Sequence, residues 1–505
     1  MELSHLNSRE GAGPPPGPEN AAPLPDRAPQ AGGGPAPSLL RGYDLSSARL
    51  EDTSRRQVDV VIVGAGLAGL AAARTLVAAG VETLVLEARD RVGGRTYTTP
   101  AQDGTQLDLG GQWIGPSQHS IAALAKEVGA QTFPTYDRGD NIEYRAGVRS
   151  VYAGAIPMQD PSAMMELVEV MLELNMLALE VPVEAPWLAE RANEWDAQTA
   201  ATWLASNVSP TVARMWLTLA IQAVFSCEPR DLSLLHVLFY IHAAGSLNEL
   251  ISVTRGAQEM RFVEGAQTVS TRVAAELGER VILATPVHTI VQDADRVRVE
   301  SDAFVVTARK AIIALPPTLA GRLRYRPPLP ALRDQLTQRV PMGTVIKVQC
   351  LYERPFWRDE GLSGQVASDS GIIRVTYDNS PESATPGILL GFIEGDEARL
   401  WSRKSPAERR HAALACLSGY FGEQAGHPYD YVEQNWAEEE YSRGCYAGFM
   451  PTGVWTMYGE ALRAPIGHLH WAGTETATVW NGYMDGAVQS GQRAAAEVLA
   501  ALTGK

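Results

Sequence analysis

Hydrophobic and polar positions change rhythm several times along the chain, and each change marks an expected element. Residues 58–63 (VDVVIV) form a nearly continuous apolar run rich in β-branched side chains, the pattern of a strand covered on both faces. The run enters Gly64-Ala65-Gly66-Leu67-Ala68-Gly69, then an alanine-rich helical stretch over residues 70–79 and a second strand over 82–86 that ends on Glu87. Residues 133–262 carry helical periodicity, with Trp187, Trp195, Trp203 and Trp216 on apolar faces that predict core. Strand patterns return at 281–287, 296–300 and 311–315, the last closed by Pro316-Pro317. Residues 345–351 alternate polar with apolar around Lys347, and near the end residues 469–473 run into a turn before a helical pattern over 486–499.

The first of these stretches carries chemistry. Strand, GxGxxG, helix, strand and an acidic residue about 20 positions on make up a dinucleotide fingerprint in its full context. Gly64 permits the tight turn, Gly66 lets backbone approach a pyrophosphate, Gly69 lets helix pack on strand, and Glu87 accepts from a ribose diol. A second glycine pair with an arginine follows, Gly93-Gly94-Arg95, and then Asp108-Leu109-Gly110-Gly111-Gln112-Trp113. These extra close-approach turns suit a longer, two-nucleotide ligand better than NAD.

Composition narrows the rest. A net charge of −15 over 505 residues argues against a nucleic-acid or anionic-membrane surface. Four scattered cysteines, Cys227, Cys350, Cys416 and Cys445, give neither a disulfide framework nor a zinc site, and no metal is expected. No apolar run reaches the roughly 18 residues a membrane span needs; residues 164–181 are broken by Glu166, Glu169, Glu173 and Glu180. Residues 1–56, dominated by Pro, Gly and Ala, predict a disordered tail without a secretory pattern, so the expected location is cytoplasmic.

GAGLAGL, LEARDRVGGRT and DLGGQWIGPSQ, with SRGCY and WAGTETATVWNGYMDGAVQSGQRAAAEVL near the C-terminus, resemble the flavin-dependent amine oxidase family and most closely its monoamine oxidase branch. The resemblance implies an α/β, two-lobed fold. A Rossmann-like FAD-binding lobe would be assembled from residues 57–132, 263–336 and 439–505, and an α+β substrate lobe from 133–262 and 337–438. It implies FAD joined through its 8α-methyl to the sulfur of Cys445, and an aromatic cage of Tyr446 and Tyr483 around the amine. It places Lys347 near the flavin and Ile251 and Gln258 in the substrate wall. Arg89, Arg95, Gly111, Gln112, Val287, Trp436, Thr474, Glu475 and Met484 would line the cofactor. On the residues alone, Lys347 also reads as a snorkelling edge-strand lysine. The chain departs from the animal enzymes at Arg443, where they carry glycine, at Val479, where they carry histidine, and in ending without their membrane-anchoring helix. Arg443, two residues before Cys445, is a candidate to favour the thiolate that flavin attachment requires.

The implied reaction oxidises a primary or secondary amine to an imine, hydrolysed to aldehyde and ammonia, while O2 becomes hydrogen peroxide. No side chain stands out as a general base. Expected partners are a small-molecule amine and O2, with a homodimer left open and no nucleic acid. A diamine or polyamine oxidase, such as a putrescine oxidase, shares most of these motifs and would want a carboxylate deep in the cavity. An L-amino-acid oxidase would want an arginine there. A non-catalytic flavoprotein would use its tail as a contact.

Overall fold

The structure, a computed structural model, describes residues 54–154 and 161–504. The tail expected over residues 1–56 lies outside the described residues as far as 53, but its last three positions are ordered. The first strand is Ser54–Val63. It starts ahead of the apolar run because Ser54 to Gln57 pair in parallel with Phe304 to Thr307, which satisfies their backbone groups whatever their side chains.

Two sheets organise the described chain. In the eight-stranded sheet, Ser54–Val63 lies between Thr83–Leu86 and Phe304–Ile313, parallel to both. Leu469–Trp471 pairs in parallel with Phe304–Ile313, so the last strand of the chain lies one strand away from the first. Helices Leu67–Ala78 and Met484–Thr503 pack against each other at backbone contact: a Cβ on Gly491 would sit 2.1 Å from the Ala68 carbonyl oxygen. Both helices begin earlier than their apolar patterns. Gly66 and Tyr483 are their extended N-cap residues, and the intervening small residues complete the first turn.

The seven-stranded sheet runs Asp430–Asn435, Val345–Tyr352, Gly387–Glu394, Val375–Asp378, Leu362–Ser368, Asp140–Arg145, Val148–Tyr152. Val345–Tyr352 is an inner strand, antiparallel to both neighbours, and all eight of its residues are buried despite their alternating polarity. Ile346, Val348 and Cys350 pack against Leu417 and Tyr420 of the helix Pro406–Phe421. The opposite face carries Lys347 and Gln349 inward. The snorkelling reading of Lys347 therefore fails: no edge is available to it.

A helical layer, including Pro161–Leu179, Val212–Phe225 and Leu234–Ala244, encloses a hydrophobic core of its own. Trp195 and Trp203 are buried in it as expected, whereas Trp187 and Trp216 are only partly buried. Among the described residues no helix is long and apolar enough to cross a membrane.

Candidate active site

At the tip of the first strand the glycines divide the work. Gly64 adopts φ +102°, and a Cβ there would meet the Ala314 carbonyl oxygen at 2.8 Å. On Gly69 a Cβ would meet the Gly64 carbonyl oxygen at 1.9 Å. Gly66 is different, since a Cβ there meets nothing within 4 Å and the space beside its backbone is open. The second glycine turn lies against the first, with Gly66 bridged to Gly93. Glu87 accepts the Ala65 N–H at 2.7 Å and the Arg89 N–H at 3.0 Å. Arg89 reaches Glu439 at 3.2 Å and donates to the Ser442 hydroxyl at 2.9 Å, clamping the segment that leads to Cys445.

A continuous cavity of ≈ 750 Å³ extends from these turns between the sheets and into the helical layer. Every residue singled out from the sequence as a site residue lines it, except Gly69 and Glu475. Gly69 serves packing. Glu475 lies outside the lining: its carboxylate accepts both Arg95 nitrogens, at 2.6 and 3.1 Å, and the Gly448 N–H at 3.1 Å. It holds Arg95 from behind the wall. Arg95 in turn donates to the Tyr446 carbonyl at 2.9 Å.

Cys445 is buried beside that arginine. Burial pushes its thiol up to about 12, and Arg95 is the leading opposing influence. Arg443, the cation expected to favour the thiolate, is exposed and donates to the Glu440 carbonyl instead.

Lys347 reaches inward across the sheet to the second glycine-rich loop. Its Nζ donates to the Gly110 carbonyl at 2.8 Å and to Gln112 Oε1. Burial lowers it to about 7, partly opposed by Asp108. The network continues through side chains with no sequence motif: Gln112 donates to Asn379 at 2.6 Å, Asn379 to Gln349 at 2.7 Å, and Gln349 to the Asp108 carbonyl at 3.0 Å. Trp436 lines the cavity and donates to the Leu109 carbonyl at 2.8 Å. Thr474 is spent locally, donating to the Tyr483 carbonyl at 2.8 Å.

The two phenols are held differently. Tyr446 packs edge-on against Phe392, 5.8 Å between centroids at 89°, and its hydroxyl donates to Glu394 at 2.9 Å. Tyr483 packs against Trp480 at 4.8 Å and Tyr240 at 6.0 Å. Ile251 and Gln258 line the same cavity, joined by Trp216, which sequence reasoning left in the core. Gln258 is tied by its amide N–H to the Leu250 carbonyl at 3.0 Å. Among the described lining residues the only carboxylates are Glu87, at the nucleotide turn, and Glu440, in the segment clamped by Arg89.

These residues fit a bound FAD. Open backbone beside Gly66 leaves room for a pyrophosphate, the Glu87 carboxylate lines the cavity next to it, and the far end gathers a cysteine, a buried amine and two phenols.

Comparison with known proteins agrees. Residues 67–499 match the family model for flavin containing amine oxidoreductase. The chain is 43% identical over 446 residues to a Mycobacterium tuberculosis protein named as flavin-containing monoamine oxidase AofH, covering 88% of this chain and 97% of that one. Among solved structures, wild-type putrescine oxidase bound to putrescine superposes with a TM-score of 0.86 at 35% identity, covering 88% of this chain and 100% of that one. Cyclohexylamine oxidase from Brevibacterium oxydans IH-35A gives 0.83 at 34% identity, covering 88% and 99%.

Proposed function

The chain belongs to the flavin containing amine oxidoreductase family, and from that premise we propose that it oxidises a monoamine presented between Tyr446 and Tyr483. The observation that carries the monoamine reading is the charge of the cavity lining. Around Tyr446, Tyr483, Phe392, Trp216 and Ile251 the lining offers aromatic and aliphatic surface. Among the described lining residues its only carboxylates belong to the nucleotide turn and the Arg89-clamped segment. A diamine would bury a second ammonium there with no carboxylate on the cavity surface to meet it, because Glu394 lies behind Tyr446 and is occupied by its hydroxyl, and such burial is costly.

In this reading the eight-stranded sheet and its helices form the FAD-binding domain (residues 57–132, 263–336 and 439–505). The seven-stranded sheet and helical layer form the substrate domain (133–262 and 337–438). FAD would be held along Gly64, Gly66, Glu87, Val287 and Arg95 and by Gly111, Gln112, Thr474 and Met484, with Cys445 the residue that would tether it and Trp436 in the same lining. Held there, FAD would supply the two-electron oxidation of the amine at its α-carbon to an imine and the transfer of those electrons to O2, giving hydrogen peroxide. The protein's part is orientation and a dry slot. Tyr446 and Tyr483 present their ring faces to a neutral amine, and Ile251 and Gln258 close the substrate wall. Lys347, lowered to about 7 by burial, holds or gives up a proton at Nζ near neutral pH.

A peroxide-coupled assay over benzylamine, phenethylamine, tyramine, putrescine and spermidine tests the reading. Aryl monoamines are expected to turn over fastest, and Tyr446→Ala to lower kcat/KM roughly 100-fold by misplacing the amine. Preference for putrescine or spermidine would replace the monoamine reading with the diamine one. Flavin fluorescence should stay with the denatured chain and be released from Cys445→Ala; flavin freed from the unmodified protein by acid would rule out the tether.

A further inference from the structure

We propose that Glu394 is a positioning residue for amine oxidation: it holds the Tyr446 hydroxyl and, through that phenol, sets how the amine is presented. This rests on the cage role given to Tyr446 above.

The geometry comes from one strand. Gly387–Glu394 presents Phe392 to the cavity and, two residues on, Glu394 at its end. Phe392 meets the Tyr446 ring edge-on at 5.8 Å, and Glu394 accepts the Tyr446 hydroxyl at 2.9 Å. The Tyr446 carbonyl accepts from Arg95 at 2.9 Å. The ring is thus fixed at its backbone, its face and its tip. Tyr483 shares the backbone tie, its carbonyl accepting from Thr474 at 2.8 Å, but its ring rests on Trp480 and Tyr240, and among the described residues no hydrogen bond to a carboxyl holds its hydroxyl. The two phenols therefore differ in kind, one packed and one packed and hydrogen-bonded to a carboxyl.

Packing against Phe392 would orient a phenylalanine at position 446 as well. What the carboxyl adds is an acceptor whose strength changes with its charge. Enclosure pushes Glu394 up to about 8, opposed first by the Tyr446 hydroxyl and then by Arg374, with Glu228 adding to the rise. The other groups around it come from three directions. Ser226, Cys227 and Glu228 follow the helix Val212–Phe225, Arg374 and Tyr377 belong to the strand Val375–Asp378 and its approach, and Glu397 lies on the helix that Glu394 precedes. Arg374 is already shared between Gln222 at 3.3 Å and Glu397 at 3.4 Å. Glu394 thus gains its charge on the alkaline side of neutrality, where amines begin to lose theirs. As a carboxylate it draws on the phenol hydrogen more strongly and enriches the ring that faces the amine.

The test is a double-mutant cycle on benzylamine kcat/KM with Glu394→Leu, Tyr446→Phe and the pair, each checked for flavin content. Glu394→Leu is expected to lose about tenfold, the value of one hydrogen bond to a charged group. In the Tyr446→Phe background the same change is expected to cost less than about twofold, because the hydroxyl it acts through is gone. The wild-type kcat profile is expected to show a limb near pH 8, and Glu394→Gln, which keeps the shape but cannot ionise, should flatten it; this decides the matter if Glu394→Leu does not fold. An equal loss with and without the Tyr446 hydroxyl, a wild-type rate in Glu394→Leu, or an unchanged limb in Glu394→Gln overturns the proposal. Wild-type turnover in Tyr446→Ala would instead sink the cage reading itself.

Discussion

The nucleotide-facing and amine-facing walls of the cavity are made by opposite means. The first is shaped by absent atoms: Gly66 leaves bare backbone beside open space, its near neighbours Gly64 and Gly69 permit the tight turn behind it, and Gly93 bridges to it from the next turn. The second is shaped by buried polar side chains in pairs, Lys347 with Gln112, Arg95 with Glu475 and Tyr446 with Glu394, each joined across a long stretch of sequence. A pyrophosphate is held by close backbone approach, so nothing may stand in its way. An amine is oriented by rings and dipoles, and buried polar groups persist only with partners. One wall should therefore fail when atoms are added and the other when they are removed.

The largest effect is expected at the tie between the walls. Arg95→Leu leaves the Glu475 carboxylate buried at 1% side-chain exposure with its charge unpaired, a change that costs about 3–5 kcal/mol. Denaturant unfolding should show this loss, and adding Glu475→Leu should recover most of it, since replacing a whole buried pair by apolar groups is close to neutral. An unchanged unfolding midpoint in Arg95→Leu would break the contrast at its strongest point.

A smaller effect separates two glycines three residues apart. Gly69→Ala drives a methyl to 1.9 Å from the Gly64 carbonyl oxygen and should cost at least the roughly 1–3 kcal/mol of an overpacked core, with loss of flavin. Gly66→Ala meets nothing within 4 Å in the protein. Its flavin-free form should unfold at the wild-type midpoint while flavin occupancy falls. If both variants lose stability alike, the open space beside Gly66 is not reserved for a ligand.

The same contrast explains what the sequence made legible. The strand, glycine turn and helix that bind the nucleotide were readable because their meaning is local. Cys445, Tyr446 and Tyr483 were readable only through the family they resemble, since a cysteine and two tyrosines in apolar surroundings are otherwise core. Glu394, Asn379 and Trp216 were not readable at all. Glu394 acquires its role from Tyr446, 52 positions away, and Asn379 from Gln112, 267 positions away. The alternating pattern around Lys347 suggested an exposed face, but alternation marks exposure only where one side of a sheet meets water. Here both sides are covered, and the polar members turned out to be the site.

Lys347 gives the subtlest test, one that reads the amine-facing wall through stability. Burial lowers its amine from 10.5 to about 7. Between those values the unfolded chain binds a proton that the native chain does not, so native stability rises with pH across that window and is lost as pH falls toward 7. The slope for one such group reaches about 1.4 kcal/mol per pH unit. Glu394 acts in the opposite sense. Raised from 4.5 to about 8, it binds a proton in the native chain that the unfolded chain has released, so its contribution falls with rising pH and is complete by about 8. Between about 8 and 9, before the raised thiols of Cys227 and Cys350 pull the other way, unfolding midpoints should climb in the wild type and flatten in Lys347→Met, while Gly66→Ala keeps the climb. A climb that Lys347→Met leaves intact would mean that Nζ keeps its proton in the native chain. The buried group would then be an ammonium donating to Gly110 and Gln112, and a fixed positive charge rather than a base would face the cavity.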